Sequence, residues 1–386
     1  MVTQDKFTPV VSLSKKILSE HDLCDHCLGR LFAKRLGLAS NKLLGQKIRK
    51  KIKSKNKKCY VCKNVFDTLY FYLDKMKEAS SVYDFKTFLI GAKLKPSVLD
   101  RDDHLRSQFK LKGIDGIKTS ITRELAKQFS RKTKRNHNVA DPDLTITVDF
   151  KTESCEAHSK SLYVAGRYVK PVRDIPQKQK PCQNCLGKGC VTCQRHGMTE
   201  FDSVEGMISR YFFDKFGATQ AKITWIGGED TTSAVLGKGR PFFAKLLNPK
   251  KRRPKIPDKI QSDKITILGL KQISKIPQGP IPFVSKVRLY ITTENPIIPE
   301  NLVKLDELSN NTVAIYEKSG KRSEKNIHSI KYGVESQNSF YLFMKLDGGV
   351  PLKHFVAGED IFPNVSDLIS NKSKLERFDF DEVNIH

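Results

Sequence analysis

Eight of the nine cysteines in this chain fall into four Cys-x-x-Cys pairs: Cys24/Cys27, Cys59/Cys62, Cys182/Cys185 and Cys190/Cys193. That spacing constrains the fold more than any other feature. A Cys-x-x-Cys knuckle puts two thiolates on one edge of a tetrahedron, so two knuckles close a four-sulfur metal site with no open position. The first two pairs bracket helical sequence, and the last two stand four residues apart around Gly187 and Gly189. Structural zinc is expected at both, with an iron–sulfur cluster as the alternative that ligand count allows at the second. The run Cys-x-x-Cys-x-Gly-x-Gly is also similar to zinc modules of chaperones, but it occurs once. Cys155 reads as a core or strand residue and His26 as a surface residue rather than a ligand.

Disulfides need an oxidising compartment. Met1 to Leu18 has no apolar segment of signal-peptide length, so a cytoplasmic location is expected. No apolar run is long enough to span a bilayer, and no membrane role is expected. Lys and Arg outnumber Asp and Glu 69 to 42, a formal charge of +27. An excess of that size predicts a polyanionic partner, nucleic acid first. The basic residues are clustered at Lys47 to Lys58, Arg131 to Arg135 and Lys250 to Lys255, which points to patches rather than an evenly charged surface.

Periodicity and composition divide the chain into an N-terminal cysteine and helical module (1–80), an α/β domain (81–176), a cysteine-knuckle linker (177–200) and a mixed-sheet domain (201–386). The fold class is multidomain α+β. Helices are expected at 13–22, 41–53, 65–76, 114–127 and 204–216. Strands are expected at 86–94, 144–149, 161–168, 221–226 and 242–247, with more beyond 264. Asp102, Asp103 and Arg106 read as loop residues. A helical end is expected after Ser366, and the acidic last residues read as a solvated tail. Between the strands at 221–226 and 242–247, Gly227-Gly228-Glu229-Asp230 presents one carboxylate on a glycine turn, a place where a ligand can approach the backbone closely.

The order of these features resembles the archaeal and eukaryotic tRNA pseudouridine synthases of the Pus-ten type. Cys24-Asp25-His26-Cys27-Leu28-Gly29-Arg30 is similar to the family's opening knuckle. Thr87-Phe88-Leu89-Ile90-Gly91-Ala92, Asp102 with Arg106, Arg123-Glu124-Leu125 and Pro142-Asp143 are similar to its THUMP-type RNA-binding domain. Gly227, Glu229 and Asp230, with Leu236-Gly237, Gly239-Arg240-Pro241-Phe242 and Asn248-Pro249, match the frame of its catalytic loop. Gly228 stands where the family has arginine, and Thr232-Ser233-Ala234 stand for Asp-Val-Arg. Leu352-Lys353-His354-Phe355-Val356 resembles a C-terminal family stretch.

The resemblance implies conversion of uridine to pseudouridine at positions 54 and 55 of the tRNA T loop, with Asp230 as the essential carboxylate and no organic cofactor. Arg240 is the candidate cation beside Asp230. Tyr290 is the candidate aromatic for the extruded base, with Arg288 as the alternative residue at that position. The tRNA is expected on Lys118, Arg123, Lys127, Arg167, Lys170, Lys250, Lys251, Arg252, Arg253 and Lys353, with the protein a monomer. The loop substitutions motivate an alternative, a tRNA-binding relative with weak or no turnover. A THUMP-containing methyltransferase or thiolase is disfavoured by the lack of a Gly-rich strand-to-helix cofactor turn.

Overall fold

The computed structural model describes residues 4–34, 36, 40–55, 57–262, 264–317 and 319–386. It divides into two units, Met1–Lys160 and Ser161–His386. No helix among the described residues is long and apolar enough to cross a membrane.

The first unit opens with helices α1 (Gln4–Glu20), α2 (Asp25–Ala33), α3 (Asn41–Ile52) and α4 (Leu69–Ser80). Helices α2 and α3 cross at backbone contact. A Cβ on Gly29 would lie 1.8 Å from the Asn41 carbonyl oxygen, and one on Gly45 1.9 Å from that of Asp25. Only glycine permits that approach. Arg49 of α3 then reaches the Asp25 carboxylate at 2.8 Å, so one member of the basic run 47–58 is spent inside the unit.

The unit continues with β1 (Thr87–Lys93), α5 (Pro96–Gln108), α6 (Ile117–Thr133), β2 (Asn136–His137), β3 (Leu144–Asp149) and β4 (Ser154–Ser159). The strand order is β2-β1-β3-β4, parallel around β1 and antiparallel between β3 and β4. Alternation buries Phe88, Ile90 and Ala92 of β1 and Leu144, Ile146 and Val148 of β3. The stretch with Asp102, Asp103 and Arg106 is helix α5, not a loop. Pro96 opens it at a position where a missing N–H costs nothing. Asp102 forms a buried ion pair with Arg30 and accepts the Ile117 N–H at 2.9 Å. The cysteine module and this sheet share a single core, with Cys27, Met76, Phe88 and Phe129 in one cluster.

The second unit begins at β5 (Leu162–Lys170), followed by α7 (Val204–Phe216), β6 (Gln220–Trp225), β7 (Ala234–Leu247), β8 (Lys259–Gln261), β9 (Thr266–Ile273) and β10 (Phe283–Thr293). Then come α8 (Pro299–Leu302), β11 (Asn311–Tyr316), β12 (Arg322–Ser336), β13 (Ser339–Asp347), α9 (Leu352–Ala357), β14 (Ile361–Phe362), α10 (Val365–Leu368) and β15 (Ser373–Ile385). The strands form one mixed sheet in the order β14-β11-β12-β13-β10-β15-β7-β5-β9-β8, with β6 paired to β7.

Two expectations are corrected here. The strand expected at 161–168 is β5, which pairs β7 and β9, so the boundary falls after Lys160 and not at 176. The expected helical end and acidic tail are β15, a central strand between β10 and β7. Its acids are interspersed with buried Phe378, Phe380 and Val383, and those apolar positions outweigh the tail-like composition.

Candidate functional site

Each cysteine quartet is gathered, with all ligand atoms of a group within 4.8 Å of one another. Sulfurs 2.3 Å from a tetrahedral ion stand about 3.8 Å apart. The Sγ separations of 3.6 Å for Cys24–Cys62, 4.0 Å for Cys182–Cys190 and 3.8 Å for Cys185–Cys193 fit that geometry. Backbone N–H groups of Gly189 and Gly197 point at Cys185 and Cys193 Sγ at 3.2 Å, which favours thiolates. Both quartets can therefore hold a metal ion. His26 stays outside the first, its ring stacked on Phe66 at 4.3 Å rather than lying free on the surface.

All four sulfurs of the first quartet are buried, whereas Cys185 and Cys190 of the second are half-exposed. A chelator should accordingly strip bound metal in two phases, the fast one from Cys182–Cys193. Cys190→Ser should erase that fast phase in a colorimetric release assay, and survival of both phases would contradict the assignment.

The acidic turn follows β6. Gly227 adopts φ +74°, and a Cβ there would meet the Phe283 ring at 2.6 Å, so the turn lies flat against an aromatic wall. Asp230 Oδ2 meets Lys353 Nζ, at the start of α9, at 2.6 Å. Its Oδ1 accepts the Thr232 N–H at 3.1 Å and the Thr232 hydroxyl at 3.2 Å. The ammonium of Lys353 first, and then the Thr232 N–H, hold the Asp230 carboxyl down at about 2. It is therefore ionised throughout the neutral range. Beside it lies a cavity of about 480 Å³ walled by Phe283, Phe378 and Phe380. A Cβ at Gly228 meets nothing within 4 Å, so that position can accept a side chain.

The cation beside Asp230 is thus Lys353 and not Arg240. Arg240 is fully buried, stacked on Phe380 at 3.9 Å, and donates to the Ile226 carbonyl at 2.9 Å. Its partner is Glu229, 3.9 Å away. Glu229 also lies 3.5 Å from Lys170 Nζ and accepts the Tyr168 hydroxyl at 2.9 Å. Burial pushes the Glu229 carboxyl up despite both cations. Two buried cations depend on that one carboxylate, so Glu229→Gln is expected to lower stability by about 3–5 kcal/mol. Thermal melting of the full chain measures it, and an unchanged midpoint would contradict the charge balance.

The expected tRNA contacts separate into four groups. Lys118, Arg123 and Lys127 are exposed on α6, and Lys250, Lys251 and Arg253 on the loop after β7. Arg252 and Lys170 are buried. Arg167 is consumed by backbone, donating at 2.7 Å to the carbonyls of both Lys238 and Gly239. Lys353 is the partner of Asp230. Tyr290 does not line the cavity. The regular pairing of Arg288 with Asp379 and Tyr290 with Arg377 puts these four on the sheet face opposite Phe378 and Phe380. Arg377 covers the Tyr290 ring at 4.4 Å.

Sequence reading missed three residues around the turn: Lys353 as the partner of Asp230, and the pair Arg173–Asp379. Arg173 falls at the end of the expected α/β domain (81–176), and Asp379 in what reads as a tail, so no local signal joins them.

Family models match both units, the C-terminal domain of Pus10 over residues 163–384 and the archaeal Pus10 THUMP domain over residues 72–149. A THUMP domain on a catalytic domain of this kind sets the class, a pseudouridine synthase, which is an isomerase. Curated relatives narrow it. A protein of Nitrosopumilus maritimus named tRNA pseudouridine synthase Pus10 is 50% identical over 385 residues, covering 100% of each chain. Relatives of the same name from Cenarchaeum symbiosum and Methanocaldococcus jannaschii are 37% and 28% identical, covering 94% and 95% of this chain and 90% and 93% of their own. The chain belongs to the Pus10 family of tRNA pseudouridine synthases.

Proposed function

We propose that this protein isomerises uridine to pseudouridine in the T loop of tRNA, at position 54, position 55 or both, with Asp230 as the reacting carboxylate. The observation that carries this reading is the Asp230–Lys353 ion pair at the edge of an aromatic-walled cavity. Its volume lies within the range of small-ligand pockets, roughly 300–1,000 Å³.

The reaction is balanced without a cofactor. The bond from C1′ to N1 of uracil breaks, the base turns, C1′ bonds to C5, the C5 proton leaves and N1 gains one. A carboxylate serves this as nucleophile at C1′ or as base, and either role needs the ionised form. Lys353 and the Thr232 N–H stabilise that form further and orient it. The base must leave its stack to reach such a site. Exposed cations on α6 and after β7 supply contacts to the phosphate backbone. Zinc suits both cysteine quartets, since tetrahedral four-thiolate sets are its usual structural sites.

Incubation with an unmodified tRNA transcript, followed by pseudouridine mapping, tests the reading. Pseudouridine at T-loop positions 54 or 55 is expected. Tight tRNA binding with no pseudouridine would leave a binding protein only. The resemblance implies a base-extruding arginine at the Gly228 position, and the open space around a Cβ at Gly228 leaves room for a side chain. Gly228→Arg should raise kcat/KM by about 10-fold, a gain of roughly 1.4 kcal/mol in the transition state. An unchanged rate would show that extrusion is not limiting.

A further inference from the structure

We infer that Arg173 and Asp379 are positioning residues for Asp230, forming a brace that clamps the backbone of the Asp230 turn to the central strand of the sheet. Arg173 reaches Asp379 through both nitrogens, Nη1 to Oδ1 at 2.6 Å and Nη2 to Oδ2 at 2.8 Å. The same Nη1 donates to the Thr232 carbonyl at 2.6 Å. Asp379 Oδ1 accepts the Ala234 N–H at 3.0 Å, and the Asp174 N–H donates to the Thr231 carbonyl at 2.8 Å. Three successive parts of the turn, at residues 231, 232 and 234, are therefore tied from outside.

Upstream of Asp230 the turn is held through Glu229 by Tyr168, Lys170 and Arg240; downstream of it the other constraints are local. Ser233 N–H and hydroxyl return to the Asp230 carbonyl at 3.1 and 2.8 Å, and Lys353 is itself a largely exposed side chain. Those bonds shape the part of the turn after Asp230 without fixing it to the sheet. Asp379 does fix it, being buried in β15 with β10 and β7 on either side. It lies on the face opposite Phe378 and Phe380, so it reaches the turn's backbone without entering the cavity. A bidentate arginine with a third acceptor suits this task, because the planar fork fixes orientation where an ammonium does not.

The inference rests on the synthase reading, and its test has one readout tied to turnover and one independent of it. In the full chain, Arg173→Lys and Asp379→Asn keep the size of the side chains and lose the fork or its charge. Single-turnover pseudouridine formation should fall by about 100-fold in Arg173→Lys, the cost of a misplaced reacting group. The dissociation constant for tRNA should stay within about twofold, as binding contacts lie elsewhere. Combining both substitutions should add little to either alone, as for one unit. Millimolar guanidinium should recover part of the rate in Arg173→Ala.

Hydrogen exchange at the Ala234 amide should quicken in Arg173→Lys and Asp379→Asn while α7 keeps its protection. Quickened exchange in an enzyme whose wild type makes no pseudouridine would sink the synthase reading and keep the brace. Unchanged exchange, additive effects, or rate losses that follow the melting temperature would overturn the brace.

Discussion

Asp230→Asn should abolish pseudouridine formation, with a rate loss of about 10⁴-fold or more while tRNA still binds. Asparagine preserves the shape of the turn, including an oxygen to accept the Thr232 N–H now bound at 3.1 Å, so the loss reports the charge and not the fold. Lys353→Met separates two effects. Without its ammonium the Asp230 carboxyl returns toward the ordinary 3.8 from about 2. It remains ionised at pH 7 in both proteins, so any rate loss at neutral pH measures orientation. Activity of the wild type should show no acid limb from Asp230 above about pH 4. Because the folded-state value lies below the ordinary one, the ion pair's contribution to stability is present above about pH 4 and lost as pH falls toward 2. Product counting by single turnover over pH 5 to 9 checks the activity statements, and an Asp230→Asn protein with appreciable turnover would assign the chemistry elsewhere.

Much of this arrangement is legible in the sequence because its signals are local. Cysteine spacing marks both quartets, and the Ser203 cap with Gly217 after the last turn marks α7 at its observed bounds. The apolar alternation at 144–149 marks β3. What fails is pairing at a distance. Arg240 adjoins the acidic turn in sequence, yet its burial against Phe380 turns it to Glu229, while Lys353 comes from α9. Arg167 and Lys170 look like solvent cations because charge is read residue by residue, but β5 is interior to the sheet. The acids of β15 disguise a central strand for the same reason. Asp379 is compensated by Arg173, and Glu382 by Lys286 at 2.7 Å, partners that no window of local sequence contains.

Loss of a single sulfur from the first quartet should have the largest effect on the fold. Cys27 is fully buried within the same core cluster as Met76, Phe88 and Phe129, so a metal held there would not be separable from the packing of β1 and α6. Structural zinc is worth roughly 10–16 kcal/mol in zinc-finger peptides. A domain's whole stability is only about 5–15 kcal/mol. Cys27→Ser also leaves a buried hydroxyl among thiolates. In the full chain it should remove slow hydrogen exchange from β1, β3 and α6 together, and weaken tRNA binding through loss of the basic face of α6. Cys190→Ser should leave the protection of α7 and the central sheet intact, because Cys190 lies half-exposed in its knuckle. The two cysteine sites therefore differ in kind. If β1 and β3 keep their protection in Cys27→Ser, apolar burial alone holds the first unit, and the quartet is an attachment to that fold rather than its foundation.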